Sequence, residues 1–305
     1  MTEGDMMRVV IAGGSGFIGQ KLTEMLRDNG DEIVILSRKD RQADGKVSYV
    51  KWLGEGAKPE QEIGFVDAFI NLAGVSINAG RWSKKHQQQI YESRMSATNE
   101  LLRIIAAMEE KPTVLVNASA IGIYPASEEV VYTEKSLEQA DDFLAQTVAD
   151  WEKKAFAAAS FGVRTVMMRF GVVLGSKGGA LPLMVLPYRL WAGGTVGSGK
   201  QWVSWVHVMD VARSICFALK LDTLQGPVNV TAPNSVNMKD FGKTIGSVLH
   251  RPHWLPVPAF MLELALGQKS KLVLEGQHVV PEQLLENGFE FSYPKLETAL
   301  KDLLR

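Results

Sequence analysis

The stretch RVVIAGGSGFIGQKLTEMLRDNG, residues 8–30, decides the fold. Residues 8–13 form a short run rich in β-branched, apolar side chains, the pattern of a buried strand. From residue 17 the period changes. Phe17, Ile18, Leu22, Met25 and Leu26 recur at helical spacing, and Gly30 supplies a stop. Between the two lies a glycine loop. Gly13, Gly16 and Gly19 read G-x-x-G-x-x-G, and Gly14, Gly16 and Gly19 also read G-x-G-x-x-G. Glycines let a backbone turn tightly and approach a pyrophosphate. The helix behind them offers free N–H groups and a positive dipole end. The loop therefore implies a dinucleotide site, with contacts from Gly13, Gly16, Phe17, Ile18 and Gly19.

The next apolar run, residues 32–38, ends in Ser37, Arg38 and Lys39, about 20 residues after the glycines. NAD sites place an acidic residue there for the ribose 2′-hydroxyl. A guanidinium suits a 2′-phosphate instead, because its donors match phosphate geometry. Ser37 and Arg38 thus favour NADP over NAD, against the alternatives of a solvated turn or of masking by Asp40. Further along, residues 66–74, 113–119 and 163–171 read as strands, with helices from about Lys84 to Met108 and over 142–160. Strands alternating with helices predict an α/β fold, a doubly wound, mostly parallel sheet of Rossmann type. After Gly171 the chain becomes rich in glycine and apolar residues. The expected division is a core of residues 1–170 plus about 205–232, and a smaller C-terminal substrate lobe of about 171–204 and 233–305.

Composition excludes several function classes. With 33 basic and 34 acidic residues the net charge is −1, which leaves no footprint for nucleic acid or an anionic membrane. No apolar run reaches the roughly 18 residues of a membrane helix. The stretch MTEGDMMRVVIAGG has no basic n-region and is not expected to act as a secretory signal. The lone cysteine, Cys216, permits no intrachain disulfide and reads as buried packing. A cytoplasmic location is the expectation. Histidines 86, 207, 250, 253 and 278 show no metal-ligand spacing.

Motifs along almost the whole chain carry a family resemblance. They include GGSGFIG (13–19), NLAG (71–74), RWSKKHQQQIYESRMSAT (81–98), NASAIGIYP (117–125), FLAQTVADWE (143–152), RFGVVLGSKGGAL (169–181), GGTVGSGKQWVSWVHVMD (193–210), GPVNVTAP (226–233) and RPHWLPVP (251–258). The chain resembles the extended short-chain dehydrogenase/reductases. More closely it is similar to their atypical "epimerase family" members, named as nucleoside-diphosphate-sugar epimerases. The resemblance implies that Asn71, Leu72, Ala73 and Gly74 lie along the cofactor. It also implies that Ser119 ends the fifth strand near the nicotinamide, where its hydroxyl can polarise a substrate oxygen.

The same resemblance implies a Tyr-x-x-x-Lys pair, in which the tyrosine is the acid/base and the lysine lowers its pKa. Aligned on Glu152, the tyrosine position falls at or beside Leu144 and the lysine position at Val148, and neither residue titrates. Tyr124, five residues past Ser119, is the leading replacement, with a pocket-shaping role as its alternative. Arg94 faces either cofactor or solvent. Arg169 stands at a strand end. Trp202, Ser204, Trp205 and His207 suit a polar substrate with an apolar body, His207 reading as a hydrogen-bonded structural residue and Asp210 as a helix N-cap. Gly178 and Gly179 bend a loop over the pyrophosphate or simply make a turn. Two readings remain. One is an NADP-dependent oxidoreductase or epimerase-like enzyme for a small polar or nucleotide-sugar-like substrate, monomeric or homodimeric. The other is a non-catalytic NADP(H)-binding sensor or partner-binding protein.

Overall fold

A computed structural model describes residues 6–80 and 82–304; Arg81, within one of the resemblance motifs, and residues 1–5 lie outside the described residues. The first elements are β1 (Arg8–Ala12), α1 (Phe17–Asp28), β2 (Glu32–Ser37), β3 (Val47–Lys51), α2 (Pro59–Ile63), β4 (Ala68–Asn71), α3 (Lys84–Ala107) and β5 (Val114–Ala120). Then come β6 (Val131–Tyr132), α4 (Phe143–Phe156), β7 (Arg164–Phe170), β8 (Val172–Leu174), α5 (Leu181–Arg189), β9 (Trp202–Val203), β10 (Trp205–His207), α6 (Val208–Lys220) and β11 (Gly226–Val230). The chain closes with β12 (Val236–Asn237), α7 (Met238–Leu249), α8 (Ala259–Leu266), α9 (Lys271–Leu274), β13 (His278–Val279), α10 (Glu282–Glu286) and α11 (Leu296–Leu304).

Seven strands form one parallel sheet in the order β11-β7-β5-β4-β1-β2-β3. This is the doubly wound Rossmann arrangement, with the strand order reversing beside β1. Successive side chains of a strand point to opposite faces, so a two-sided sheet needs apolar residues at every position. Val9 and Ile11 pack on one face with Leu22 and Leu26 of α1 and Val211 and Ile215 of α6. Val10 and Ala12 pack on the other with Leu101, Ile104 and Ile105 of α3.

A separate apolar cluster builds the C-terminal lobe, joining Leu181, Val185 and Tyr188 of α5, Trp205, Phe241 and Ile245 of α7, and Leu296 and Leu300 of α11. Short paired strands, β10 with β8 and β12 with β9, brace it outside the main sheet. The lobe also reaches back to the core. Lys269 Nζ donates to the carbonyls of Asn78 (2.6 Å) and Gly80 (3.2 Å), and Gln87 Nε2 donates to Gln268 Oε1 at 2.7 Å. Among the described residues no helix is long and apolar enough to cross a membrane.

Two local expectations change, and one strand that the sequence reading did not name is added. β3 is an edge strand whose half-buried VSYVK pattern follows a charged loop, too weak a signal to read in sequence. The helix expected over 142–160 ends at Phe156 and finishes as a 3-10 turn over Ala157–Phe161, closed by Gly162 at φ +79. The N-cap of α6 is His207, whose Nδ1 accepts from the Met209 N–H, not Asp210. Asp210 sits in the first turn, fully buried, where it accepts the backbone N–H groups of Ser292 and Tyr293 and so ties the C-terminal tail to α6.

Candidate cofactor and substrate site

The glycine loop is built to close tolerance. Gly13 has φ +84, a conformation that L side chains rarely adopt, and a Cβ there would lie 2.6 Å from the Leu72 carbonyl carbon. At Gly19 a Cβ would come within 2.3 Å of the Gly13 carbonyl oxygen. Both positions must therefore be bare. Gly16 caps α1 in extended conformation, and Phe17 and Ile18 begin the helix. The first N–H groups of a helix have no intrahelical acceptors, so the cradle presents donors to an anion. The Ile18 side chain packs into the core, which leaves its backbone for binding. The Phe17 ring faces the turn after β8. A Cβ at Gly175 or Gly178 would come within 2.3 or 2.5 Å of that ring, so the glycine-rich turn lies directly against the start of α1.

At the neighbouring strand end, Ser37 Oγ donates to the Lys39 carbonyl at 2.7 Å and accepts the Lys39 N–H at 3.2 Å. This small turn holds Arg38 at an exposed apex. Asp40 pairs with Lys51 at 3.2 Å, and no ion pair engages Arg38 or Lys39 among the described residues. Across β1 lies the NLAG segment. Asn71 is fully buried; its Nδ2 donates to Asn117 Oδ1 and Thr98 Oγ1, and its Oδ1 accepts the Ala73 N–H. The Leu72 N–H bonds the Ala12 carbonyl, which brings residues 72–74 alongside the glycine loop.

The carboxyl end of β5 holds the strongest polar network. Ser119, 3% exposed, donates to Glu152 Oε1 at 2.5 Å. Glu152, on α4, takes a two-point ion pair from Arg169 on β7, Nε to Oε1 and Nη2 to Oε2, both at 2.8 Å. Arg169 Nη1 donates to the Tyr124 hydroxyl at 2.7 Å, and the hydroxyl has Asn229 Oδ1 (3.0 Å) and the Thr133 carbonyl (3.1 Å) as acceptors. β-Sheet register explains the meeting, since Ser119 stands opposite Arg169. Burial works to lower the Arg169 pKa, and the Glu152 hydrogen bonds and charge more than offset it. Burial raises the Tyr124 phenol above its ordinary value despite the adjacent guanidinium. Tyr124 is 1% exposed and stacks on Tyr132 at 5.1 Å.

Glu152 was only an alignment anchor in the sequence, and nothing there paired it with Arg169. No local signal could have paired them, because the meeting depends on the sheet register that sets Ser119 opposite Arg169. Val148 packs in an apolar cluster with Ile121, Ile123, Tyr124, Tyr132 and Val279. Leu144 is half-buried, its Cβ 4.0 Å from where a Cβ on Gly122 would lie, so it faces the loop leaving β5. The tryptophan and histidine motif of 202–207 serves the lobe. Trp202 stacks on His278 at 4.1 Å, Ser204 bonds Gln277 and Ser235, and His207 Nε2 contacts Asp302 at 3.2 Å. Among the described residues no three His, Cys, Asp or Glu gather as a metal site.

Comparison with known proteins agrees with this geometry. The NAD dependent epimerase/dehydratase family matches residues 9–231, and a domain of unknown function, DUF1731, matches residues 257–303. Epimerase family protein YfhF of Bacillus subtilis is 51% identical over 299 residues, covering 98% of each chain. Epimerase family protein SH2119 of Staphylococcus haemolyticus is 41% identical, covering 98% of this chain and 99% of its own. Among solved structures, human epimerase family protein SDR39U1 (isoform 2), determined with NADPH, superposes with a TM-score of 0.86 at 33% identity, covering 97% and 99% of the two chains. The nucleoside-diphosphate sugar epimerase of Corynebacterium glutamicum matches at TM-score 0.79 and 28% identity, covering 99% of this chain and 59% of that one. The chain belongs to the NAD dependent epimerase/dehydratase family, among the atypical short-chain dehydrogenase/reductases called epimerase family proteins.

Proposed function

We propose that this protein is an NADP(H)-dependent oxidoreductase or epimerase-like enzyme acting on a small polar or nucleotide-sugar-like substrate. One observation carries the reading. The Arg38 turn, the glycine cradle, the NLAG segment and Ser119 stand at the carboxyl ends of four adjacent strands, β2, β1, β4 and β5. Ligands of open α/β sheets bind along that edge. The close backbone packing at Gly13 and Gly19 draws the loop tight against the start of α1, whose free N–H groups fit a pyrophosphate, and Arg38 with Ser37 and Lys39 fits a 2′-phosphate. The human relative's NADPH supports the same choice.

Gly13, Phe17, Ile18 and Gly19 would hold the pyrophosphate by backbone N–H groups, Gly16, whose own N–H donates to the Gly13 carbonyl at 2.9 Å, would shape the turn, and Asn71, Leu72, Ala73 and Gly74 would line the adjoining half. The nicotinamide, when bound, supplies hydride chemistry. Ser119 would be the residue that touches substrate. Its proton already goes to Glu152, so its oxygen is free to accept a hydrogen bond from a substrate hydroxyl. Glu152 orients Ser119, Arg169 holds Glu152 in a two-point ion pair, and Tyr124 braces Arg169 from behind. Tyr124 is thereby a positioning residue, its buried phenol remaining neutral at pH 7.

A second reading, a non-catalytic NADP(H) sensor, draws on Val148, sealed among apolar side chains where the family pair puts a cation. A turnover screen separates the two. NADPH oxidation is followed against a panel of carbonyl compounds, and epimer formation against a panel of nucleotide sugars with NADP present, in the parent protein and in Ser119→Ala. The enzyme reading expects turnover with at least one class, reduced by about 100-fold or more in Ser119→Ala. NADPH binding without turnover across the panel supports the sensor.

A further inference from the structure

Helix α8 reads AFMLELAL and has no buried residue, although Glu263 is its only polar side chain. A helix that is apolar all round is normally covered. Here Phe260 is 67% exposed and Leu264 84%. Helix α5 is apolar on both faces. Leu181, Val185 and Tyr188 pack inward, while Leu183, Leu186 and Leu190, at i, i+3 and i+7, stand exposed. Hydrogen bonds join the C-terminal end of α5 to the segment that leads into α8. Trp254 Nε1 donates to the Trp191 carbonyl at 2.9 Å, and the Trp254 and Leu255 N–H groups both go to the Gly193 carbonyl. Val257 bridges Val196 in parallel, and α8 starts two residues later. Both tryptophans remain exposed, Trp191 with φ +61, a conformation that bulky side chains rarely take.

Among the described residues 18 large apolar side chains stand exposed, and nine of them fall in residues 183–191 and 254–264. Such crowding is not the single scatter of an ordinary surface. Aromatic side chains cover about 150–250 Å² each and aliphatic ones somewhat less, so at their exposures the nine leave on the order of 900 Å² of apolar surface open. The largest patch on a typical monomer is about 300–600 Å². A stable interface takes about 800 Å² from each partner. The long core helix α3, by contrast, exposes only polar residues and alanine.

The charges on the patch choose the partner. Arg189 lies between Leu186 and Leu190 on α5, and the Arg251 guanidinium sits 4.2 Å over the Trp191 ring. Glu263 is exposed one turn after Phe260. No ion pair engages any of the three among the described residues. An anionic lipid surface would take the arginines and repel Glu263. A second copy answers all three, because in a two-fold contact the same patch meets itself and each carboxylate reaches the other chain's cations. We propose that the outer face of α5, Trp191, Trp254 and α8 form the contact of a two-fold homodimer, with Glu263 paired to Arg189 or Arg251 of the other copy. The contact adjoins the cleft, since α8 leads into Lys269, whose Nζ holds the Asn78 and Gly80 carbonyls after the NLAG segment.

Sedimentation velocity on the full chain, over a dilution series, tests the contact. The parent is expected to run as a dimer. Phe260→Glu combined with Leu264→Glu is expected to run as a monomer with the parent's far-UV spectrum, because both side chains are exposed. Charge reversal gives a second measurement that needs no change to the apolar face. Glu263→Arg in one chain, and Arg189→Glu with Arg251→Glu in another, should each lose dimer affinity at least tenfold. Mixing the two chains should restore it, because only the mixed pair has opposite charges across both halves of a two-fold contact. A parent that stays monomeric throughout overturns the proposal, and so does a dimer that survives the two glutamates on α8. Charge reversals without effect overturn the Glu263 pairing. Flotation with vesicles of phosphatidylcholine and phosphatidylglycerol tests the other occupant: a monomeric parent that floats, beside a Phe260→Glu, Leu264→Glu variant that does not, assigns the patch to lipid and overturns the second copy.

Discussion

Arg38 and Arg169 both stand at the carboxyl edge of the sheet, at the ends of β2 and β7, and their surroundings are opposite. Arg169 is 6% exposed and carries its own counter-charge in Glu152, with Tyr124 completing its hydrogen bonds. Arg38 is exposed, and the acid next to it is drawn away to Lys51. A cation whose partner is built in is part of the scaffold; a cation whose partner is withheld is left for a ligand. The cofactor half of the cleft is open charge over bare backbone. The half at the ends of β5 and β7 is closed charge around one serine.

Breaking the closed half should cost most. Glu152→Gln leaves Arg169 buried without a counter-charge, and a loss of about 3–5 kcal/mol is expected in urea unfolding. Arg169→Met in the same chain should return part of it, because the unpaired charge goes too. If Glu152→Gln unfolds like the parent, the pair is not the scaffold described here.

Gly19→Ala attacks the open half. Its Cβ meets the Gly13 carbonyl and the Gly14 Cα, both backbone, so the loop itself must move. A shift of about an ångström at such a site costs roughly 100-fold in function, and NADPH affinity measured by fluorescence should fall by that order. Unchanged affinity would mean that the loop is not the cradle.

Tyr124→Phe is milder. It removes one acceptor from Arg169 and leaves the Glu152 pair intact, so about 1–2 kcal/mol of stability should go. Turnover should fall only as far as Ser119 loses its orientation. If Tyr124→Phe abolishes turnover while stability and NADPH affinity hold, the tyrosine is an acid/base and the closed half is catalytic in its own right.

The smallest expected effect lies in the lobe. Burial, opposed by Asp302 and Asp210, lowers the His207 pKa below its ordinary 6.5. A folded-state pKa below the unfolded one means that the unfolded chain binds more protons in that window. Stability from neutral His207 is then fully present above pH 6.5 and lost as pH falls through the folded value. The melting temperature should drop between pH 7.5 and 5.5, and His207→Asn, which can still cap α6, should flatten part of the drop. An identical drop in the variant would remove His207 from the account.

The open half was the more legible in sequence. A glycine whose Cβ space is filled by backbone, and a basic residue after the second strand, are local signals tied to chain order. The sheet was legible for the same reason, each strand being an apolar run bounded by turns. The closed half was not, because Ser119, Tyr124, Glu152 and Arg169 meet only when β5, α4 and β7 are packed, with sequence separations of up to 50 residues. Leu144 and Val148 showed in advance that the family's usual pair is missing. They gave no sign that the adjacent glutamate is sealed by an arginine. β3 and the cap of α6 escaped because a short edge strand and a histidine cap carry little pattern.

The most direct test titrates NADPH and NADH into the parent protein and Arg38→Ala. The account predicts that the parent binds NADPH at least tenfold more tightly than NADH, by the contact of the guanidinium with the 2′-phosphate. In Arg38→Ala that preference should collapse while NADH affinity stays the same. Equal affinity of the parent for the two cofactors, untouched by Arg38→Ala, would contradict it.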